Sequence, residues 1–486
     1  MKHLRDMIRA KEKGAVLIWV AGALVALLGA AALGTDLGWL LLSTNRVQKA
    51  TDAAALAGVI SLPGFTGIAQ TDATGASSAN GFPVSAVQWD TPPSCGGTNT
   101  CMMLKALDDN SLQVDLTVSV RTFFLRVFGI NQMRVTRRST AEWVKPVPMG
   151  SPNNCFGEPV GTSGCPDPNF WGAISGPGTT KLNGDAFATQ CVTISPCVSN
   201  SEYQRGPGGY DGYYYAVEVF PGTTGLTVDV YDAGFYERGD FDTQTGDHQQ
   251  DTNGGTNTRY EFRNVDNTPL DPTNNPVNTS QCATWNIPTN SSNTSWRNSW
   301  QRLCSFSGSL TPGLYFLHVQ SSGNLGGTNQ YSVRADSGSG PKPRVYGVND
   351  MSIFTNQPSR TALVNIAEVD QDYEGQFLEL RFFDPGEDDE EAWMTVLRPD
   401  GSVANCTWSA TNGNGGTGPC SIRTSSSSGA LYNGHWITAT IDIGDPYTCS
   451  TNCWFKMQIQ LSEPHDRTVW TARVIGNPVR LTTNAP

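Results

Sequence analysis

Nineteen consecutive positions from Ala15 to Leu33 (AVLIWVAGALVALLGAAAL) carry no charge and almost no polar atom. A helix over them, at ~1.5 Å per residue, spans about 28 Å, which matches the hydrocarbon thickness of a bilayer. The apolar pattern resumes at Leu37 to Leu42 after the single Asp36. Farther on, Asn45 to Ile60 (NRVQKATDAAALAGVI) places Val47, Ala50, Ala54 and Ala57 at helical spacing. Leu62-Pro63-Gly64 then stops the pattern. Residues 15–62 are therefore expected to form one long helix, half in lipid and half in the base of a folded domain.

Beyond Leu62 the period changes from helical to alternating. Leu112, Val114, Leu116, Val118 and Val120 mark the clearest strand, over Ser111 to Val120, with others over Val84 to Trp89 and Met133 to Val144. Thr122 to Ile130 (TFFLRVFGI) is apolar and reads as a short helix between two of them. A small α+β domain is expected over 63–146, closed by Lys145-Pro146-Val147-Pro148. Aromatic strands over Tyr213 to Phe220, Leu226 to Tyr231 and Leu314 to Val319 predict a first β-sandwich or jelly roll over 147–336. Ser337 to Pro343 (SGSGPKP) reads as a linker. A second such domain over 337–486 is predicted from Arg360 to Glu368, Gln376 to Phe383, Ala392 to Leu397, Trp436 to Ile443, Trp454 to Leu461 and Trp470 to Val474. The fold class is mainly β, preceded by a long membrane-spanning helix. Abundant Gly (51) and Pro (29) agree with many short strands joined by turns.

Charge orients this plan. Residues 1–50 hold seven Lys/Arg against three Asp/Glu, a balance of +4, while the remainder of the -12 chain carries -16. Lys2, Arg5, Arg9, Lys11 and Lys13 precede the apolar run, so residues 1–14 form a basic tip that the positive-inside rule keeps in the cytoplasm, with the bulk extracytoplasmic. The acidic remainder is a poor match to nucleic acid or to anionic headgroups, so the membrane is the expected partner and nucleic acid is not. A cleaved signal peptide is the competing reading, because Ala30-Ala31-Ala32 offers small residues to a peptidase. The length of the run and its resumption at Leu37 favour an anchor.

The twelve cysteines all lie between Cys95 and Cys453, on the side assigned to the outside. They form local couples: Cys95 and Cys101, Cys155 and Cys165, Cys191 and Cys197, Cys282 and Cys304, Cys406 and Cys420, Cys449 and Cys453. An even count in short loops reads as a disulfide framework, with connectivity left open. Zinc is not expected, since no C-x-x-C occurs.

The N-terminal third resembles the TadE/TadG-like proteins of bacterial Flp (tight adherence) pilus machinery. The likeness rests on Lys13 to Leu17, Gly29 to Gly38 (GAAALGTDLG) and above all Val47 to Ala57 (VQKATDAAALA), and extends through Phe123-Phe124 and Phe128-Gly129-Ile130 to Ala141. It covers about 145 residues and implies a role in assembling or anchoring an adhesive pilus, with pilins or other assembly proteins as partners. Prepilins of that broad class are cut after a Gly and carry Glu at the fifth mature position; here Gly14 is followed at that distance by Trp19, so processing is not expected. Asp36 resembles an acidic position of the family and is the candidate contact to a partner's helix. In the outer part, Thr311 to Val319 and Asn329 to Val333 resemble the closing hairpin of pre-peptidase C-terminal β-sandwich modules, which implies a non-catalytic accessory module.

Candidate chemistry is sparse. The string Asp350-Met-Ser352-Ile-Phe354 lacks the second Ser of a von Willebrand type A metal site. Beyond the apolar run the histidines are His248, His318, His435 and His465, without a Gly-x-Ser-x-Gly elbow, and no enzyme is expected. Carboxylates gather at Asp240, Asp242 and Asp247 and along Asp384 to Glu391, where a solvated acidic loop is preferred over a structural Ca2+; no other cofactor is expected. The competing function is a surface carbohydrate-binding protein or an accessory to a tethered hydrolase.

Overall fold

The computed structural model describes the chain apart from residues 1, 98, 158–169, 177, 188–204, 207–208, 236–255, 289–294, 324–325, 357–360, 387–390, 445, 461–464, 477 and 483–486. Two compact units form, one from residues 1–144 with 478–486 and one from residues 145–477.

The first unit is built on α1 (Lys2–Val59), a single helix of 58 residues. It takes in the basic tip as well as the apolar run, because Lys, Arg and Glu are as compatible with helix as Leu and Ala. Every residue from Val16 to Ala31 is exposed. The other half is core: Val47, Ala50, Thr51, Ala54, Ala55 and Val59 are fully buried. Small side chains allow α2 (Thr66–Ala79) to pack closely, through Ala69 and Ala73. At Gly58 a Cβ would stand 2.8 Å from the Ala69 carbonyl oxygen and 2.8 Å from Leu112 Cδ2, so the contact needs glycine.

Beneath the helices lies a sheet in the order β1 (Ala86–Trp89), β2 (Cys101–Asp108), β3 (Ser111–Arg121), β4 (Gln132–Trp143) and the C-terminal strand Val479–Leu481. The β1–β2 pair is parallel and the others antiparallel. Leu112, Val114, Leu116, Val118 and Val120 of β3 all point into the core, as their alternation predicts. The last strand joins from the far end of the chain: Val479 pairs with Trp143, and Val144 N–H donates to the Pro478 carbonyl at 2.6 Å. The second unit is thus inserted between β4 and the closing strand, and the terminal residues do not belong with the β-domain to which the sequence assigned them.

In the second unit the predicted strands appear at or near their expected places, for example Gly209–Val219, Thr224–Tyr231, Gly313–Gly323, Ala392–Leu397 and Trp454–Gln460. The expected division at 336/337 does not. Thr328–Ser339 is a strand whose Ser337 and Ser339 pair with Leu226 and Thr224, so the first three of the seven residues in the supposed linker are sheet. Arg344–Gly347, from the supposed second domain, pairs with Gly209–Val219 of the first. One long sheet runs from Trp300–Ser309 through Thr328–Ser339, Trp171–Ser175, Asp350–Asn356 and His465–Ile475 to Phe377–Phe383 and beyond. Against its first half lies a sheet containing Thr256–Arg263 and Gly313–Gly323, joined by Tyr215–Tyr331 and Phe262–Phe306 contacts. Gly, Ser and Pro mark a linker only when their backbone groups are left to water; here the neighbouring strand takes them up.

Candidate functional site

Thr122 to Asn131 joins β3 to β4 without the Asn-Gly or Asp-Gly pair of a tight hairpin. Leu125–Phe128 winds into one 3-10 turn, closed by Gly129 at φ 84°, where Gly129 N–H donates to the Arg126 carbonyl at 3.0 Å. Such a turn leaves its first amides without partners. Asp36 of α1 supplies the acceptor: its carboxylate receives the N–H groups of Phe123 at 2.7 Å, Phe124 at 2.9 Å and Leu125 at 2.6 Å. Three charge-assisted bonds to one carboxylate are a strong attachment. The carboxyl-bearing residue is 4% exposed. Trp39, one turn on, meets the Phe123 ring edge-on at 5.6 Å, and Arg46 stands over Trp39 at 5.8 Å.

The sequence offered Asp36 as a contact to a partner's helix; within the chain it has a use of its own. Its oxygens are already occupied within the chain, by backbone 87 to 89 residues away. Sequence reasoning singled out Asp36 and the Phe123-Phe124 and Phe128-Gly129-Ile130 strings separately, and missed that they meet. The available signal was an apolar tip in a place where hairpins carry polar turn residues.

The tip is conspicuously apolar on its open side. Val127 is 81% and Phe128 77% exposed, with Phe123, Phe124 and Ile130 each close to half exposed. On α1 the neighbouring Leu33, Leu37 and Leu41 are exposed as well.

Of the other sequence candidates, those among the described residues are packed or hydrogen-bonded within the fold. His318 is 1% exposed, stacked on Tyr214 at 4.0 Å, with Nε2 against the Asp211 carbonyl. Burial pushes its pKa down to about 3, with Arg263 and Arg259 adding to the effect against the Asp211 hydrogen bond. His435 Nδ1 lies 3.0 Å from the Thr411 hydroxyl, His248 lies outside the described residues, and so does the side chain of His465. Asp384 is fully buried and accepts from Gly434 N–H at 2.7 Å, while Glu391 accepts from Trp393 Nε1 at 3.0 Å. The middle of that acidic stretch, and Asp240, Asp242 and Asp247, lie outside the described residues. Glu218 is buried beside Lys145, Arg344 and the Tyr346 hydroxyl; burial would raise its pKa, but the two cations outweigh it and hold the carboxyl below its usual range.

Disulfides join Cys95 to Cys101, Cys282 to Cys304, Cys406 to Cys420 and Cys449 to Cys453. Cys155 is disulfide-bonded too, and Cys165, Cys191 and Cys197 lie outside the described residues.

No curated protein matches the chain. Residues 14–70 match the model of the Tad family, described as "Putative Flp pilus-assembly TadE/G-like". The match takes in most of α1 and the start of α2, that is, the exposed apolar half of the helix and the buried Ala-rich half. Residues 14–70 are thus similar to the TadE/G-like Flp pilus-assembly family, and the same stretch holds most of the one helix among the described residues that is long and apolar enough to cross a membrane.

Proposed function

We propose that the protein is an extracytoplasmic structural and adhesive component that assembles or anchors a Flp-type pilus, held by α1 with its basic tip in the cytoplasm. The observation that carries this is the division of α1. One half has no protein around it, and its neighbour is packed into the first unit, over the same residues that match the TadE/G-like model. A helix so divided is suited to join a bilayer to a folded body. The second unit, with three of its cysteine couples closed among the described residues, is suited to an oxidising exterior and offers β-sheet surfaces for contact. The successive strands Gly313–Gly323 and Thr328–Ser339, which lie in two different sheets, include the strings that resemble pre-peptidase modules, and a binding rather than catalytic role is assigned to them.

Two measurements test this. Protease added to spheroplasts should remove the second unit and leave a tag at the N-terminus protected. Deleting the gene should abolish Flp-type surface pili or the adhesion they mediate. Protection of the second unit, or unchanged pili and adhesion, would refute the proposal.

A further inference from the structure

We infer that the tip between β3 and β4 is a second membrane element, seated in the lipid interface beside α1. This rests on α1 crossing the bilayer. Three observations lead to it. First, position: Asp36 follows Leu33 by three residues, about 4.5 Å along the helix axis, and its three bonds hold Phe123 to Leu125 at that level. The tip is therefore fixed where α1 leaves the hydrocarbon, in continuity with the spanning surface.

Second, chemistry: Phe124, Val127, Phe128 and Ile130 are exposed together, next to the exposed Leu33 and Leu37. Large apolar groups gathered at a loop tip are costly in water and favourable in the acyl boundary. The one acidic group at this level has its charge met by backbone donors, so insertion does not leave it bare. Trp39 and Phe123 supply the aromatic pair typical of the interface.

Third, charge: residues 116–137 contain Arg121, Arg126, Arg134 and Arg137 and no Asp or Glu, while Arg138 is paired with Asp115. In a portion of the chain that is strongly acidic as a whole, this stretch stands out as a local match to anionic headgroups, which the balance of the whole portion concealed. A protein partner would be satisfied by the apolar cluster alone. A bilayer fits the cluster, its level on α1 and its basic flanks together.

The test uses the full-length, non-reduced chain in vesicles of phosphatidylethanolamine and phosphatidylglycerol containing lipids brominated on the acyl chain. Val127→Cys, Ile18→Cys and Leu107→Cys are each labelled with bimane, and the unsubstituted chain carried through labelling gives the background. Ile18 reports the span. Leu107, in β2, is exposed beside the opposite end of β3, roughly 30 Å from the tip at ~3.3 Å per residue. Bromolipid quenching at Val127 of at least half that at Ile18, with Leu107 unquenched, is the expected result. Quenching at Ile18 with Val127 no more affected than Leu107 overturns the inference and leaves the span intact. Val127 shielded from aqueous iodide yet unquenched by bromolipid also overturns it, by assigning the tip to a second copy of the chain. No quenching at Ile18 removes the spanning helix itself, and the inference with it.

Discussion

Asp36 shows how a residue can be conspicuous in a sequence while its use stays hidden. An acid three positions past an uncharged run asks for a partner, but the donors are backbone amides of the β3–β4 tip, and nothing in their side chains advertises a free N–H. Asp36→Ala should therefore speed hydrogen exchange at Phe123, Phe124 and Leu125 while leaving amides in the middle of β3 protected; unchanged exchange at the three would show that the carboxylate is dispensable. His318 illustrates the opposite case, a lone histidine that in the sequence is only one of four beyond the apolar run and that the structure buries within a strand. Its pKa falls from an ordinary 6.5 in the unfolded chain to about 3 in the fold. The stability this implies is present above pH 6.5 and is lost as pH falls toward 3, because the unfolded chain takes up the proton first. By pH 5 the second unit should have lost about 2 kcal/mol from this group. Denaturant melts of the second unit at pH 7 and pH 5 measure the loss, and His318→Gln should flatten it; an equal slope in the variant would assign the acid sensitivity elsewhere.

Among the elements, those with a strong period were legible. β3 was outlined by five alternating apolar residues, and α1 by its Ala spacing. β2 (CMMLKALD) was missed because it contains no Val, Ile, Thr or aromatic residue, the types that mark a pleated surface. Its place is set by tertiary pairing with β3, which propensity does not carry. The linker reading of Ser337 to Pro343 failed for a related reason: small residues describe a local freedom that a neighbouring strand can remove. At the α1–α2 crossing the absence of a side chain is the structural fact, and Gly58→Val tests it. With a backbone oxygen and Leu112 both 2.8 Å from the added carbon, α2 must move. A loss of roughly 1–3 kcal/mol is expected for overpacking of this kind, read as a lower melting temperature of the detergent-purified chain. A neutral result would mean that the helices separate without cost.

For the whole chain, two predictions concern its ends. Because Trp19 cannot supply the carboxylate that a mature pilin presents to its neighbour's amino terminus, intact mass of protein taken from membranes should show residues before Ala15 still attached. A mature chain beginning at Ala15 would contradict this. At the other end, removing residues 478–486 strips Val479–Leu481 from β4 and frees Glu142 from Arg480, so the first unit should become protease-sensitive while the second unit, complete at 477, keeps its melting transition. Loss of both, or of neither, would show that the strand is not part of the first unit. The sequence outlined the first unit's beginning but not its return, because three residues near a terminus carry too little pattern to name a partner more than 300 positions away. That return has a consequence for biogenesis. Chains emerge from the ribosome N-terminus first and generally fold domain by domain, yet the sheet of the first unit lacks its edge strand until residues 479–481 are made. Nascent chains stalled before residue 478 would hold a finished insert and an open β4 edge, so the first unit can close only after the whole of the second has been made.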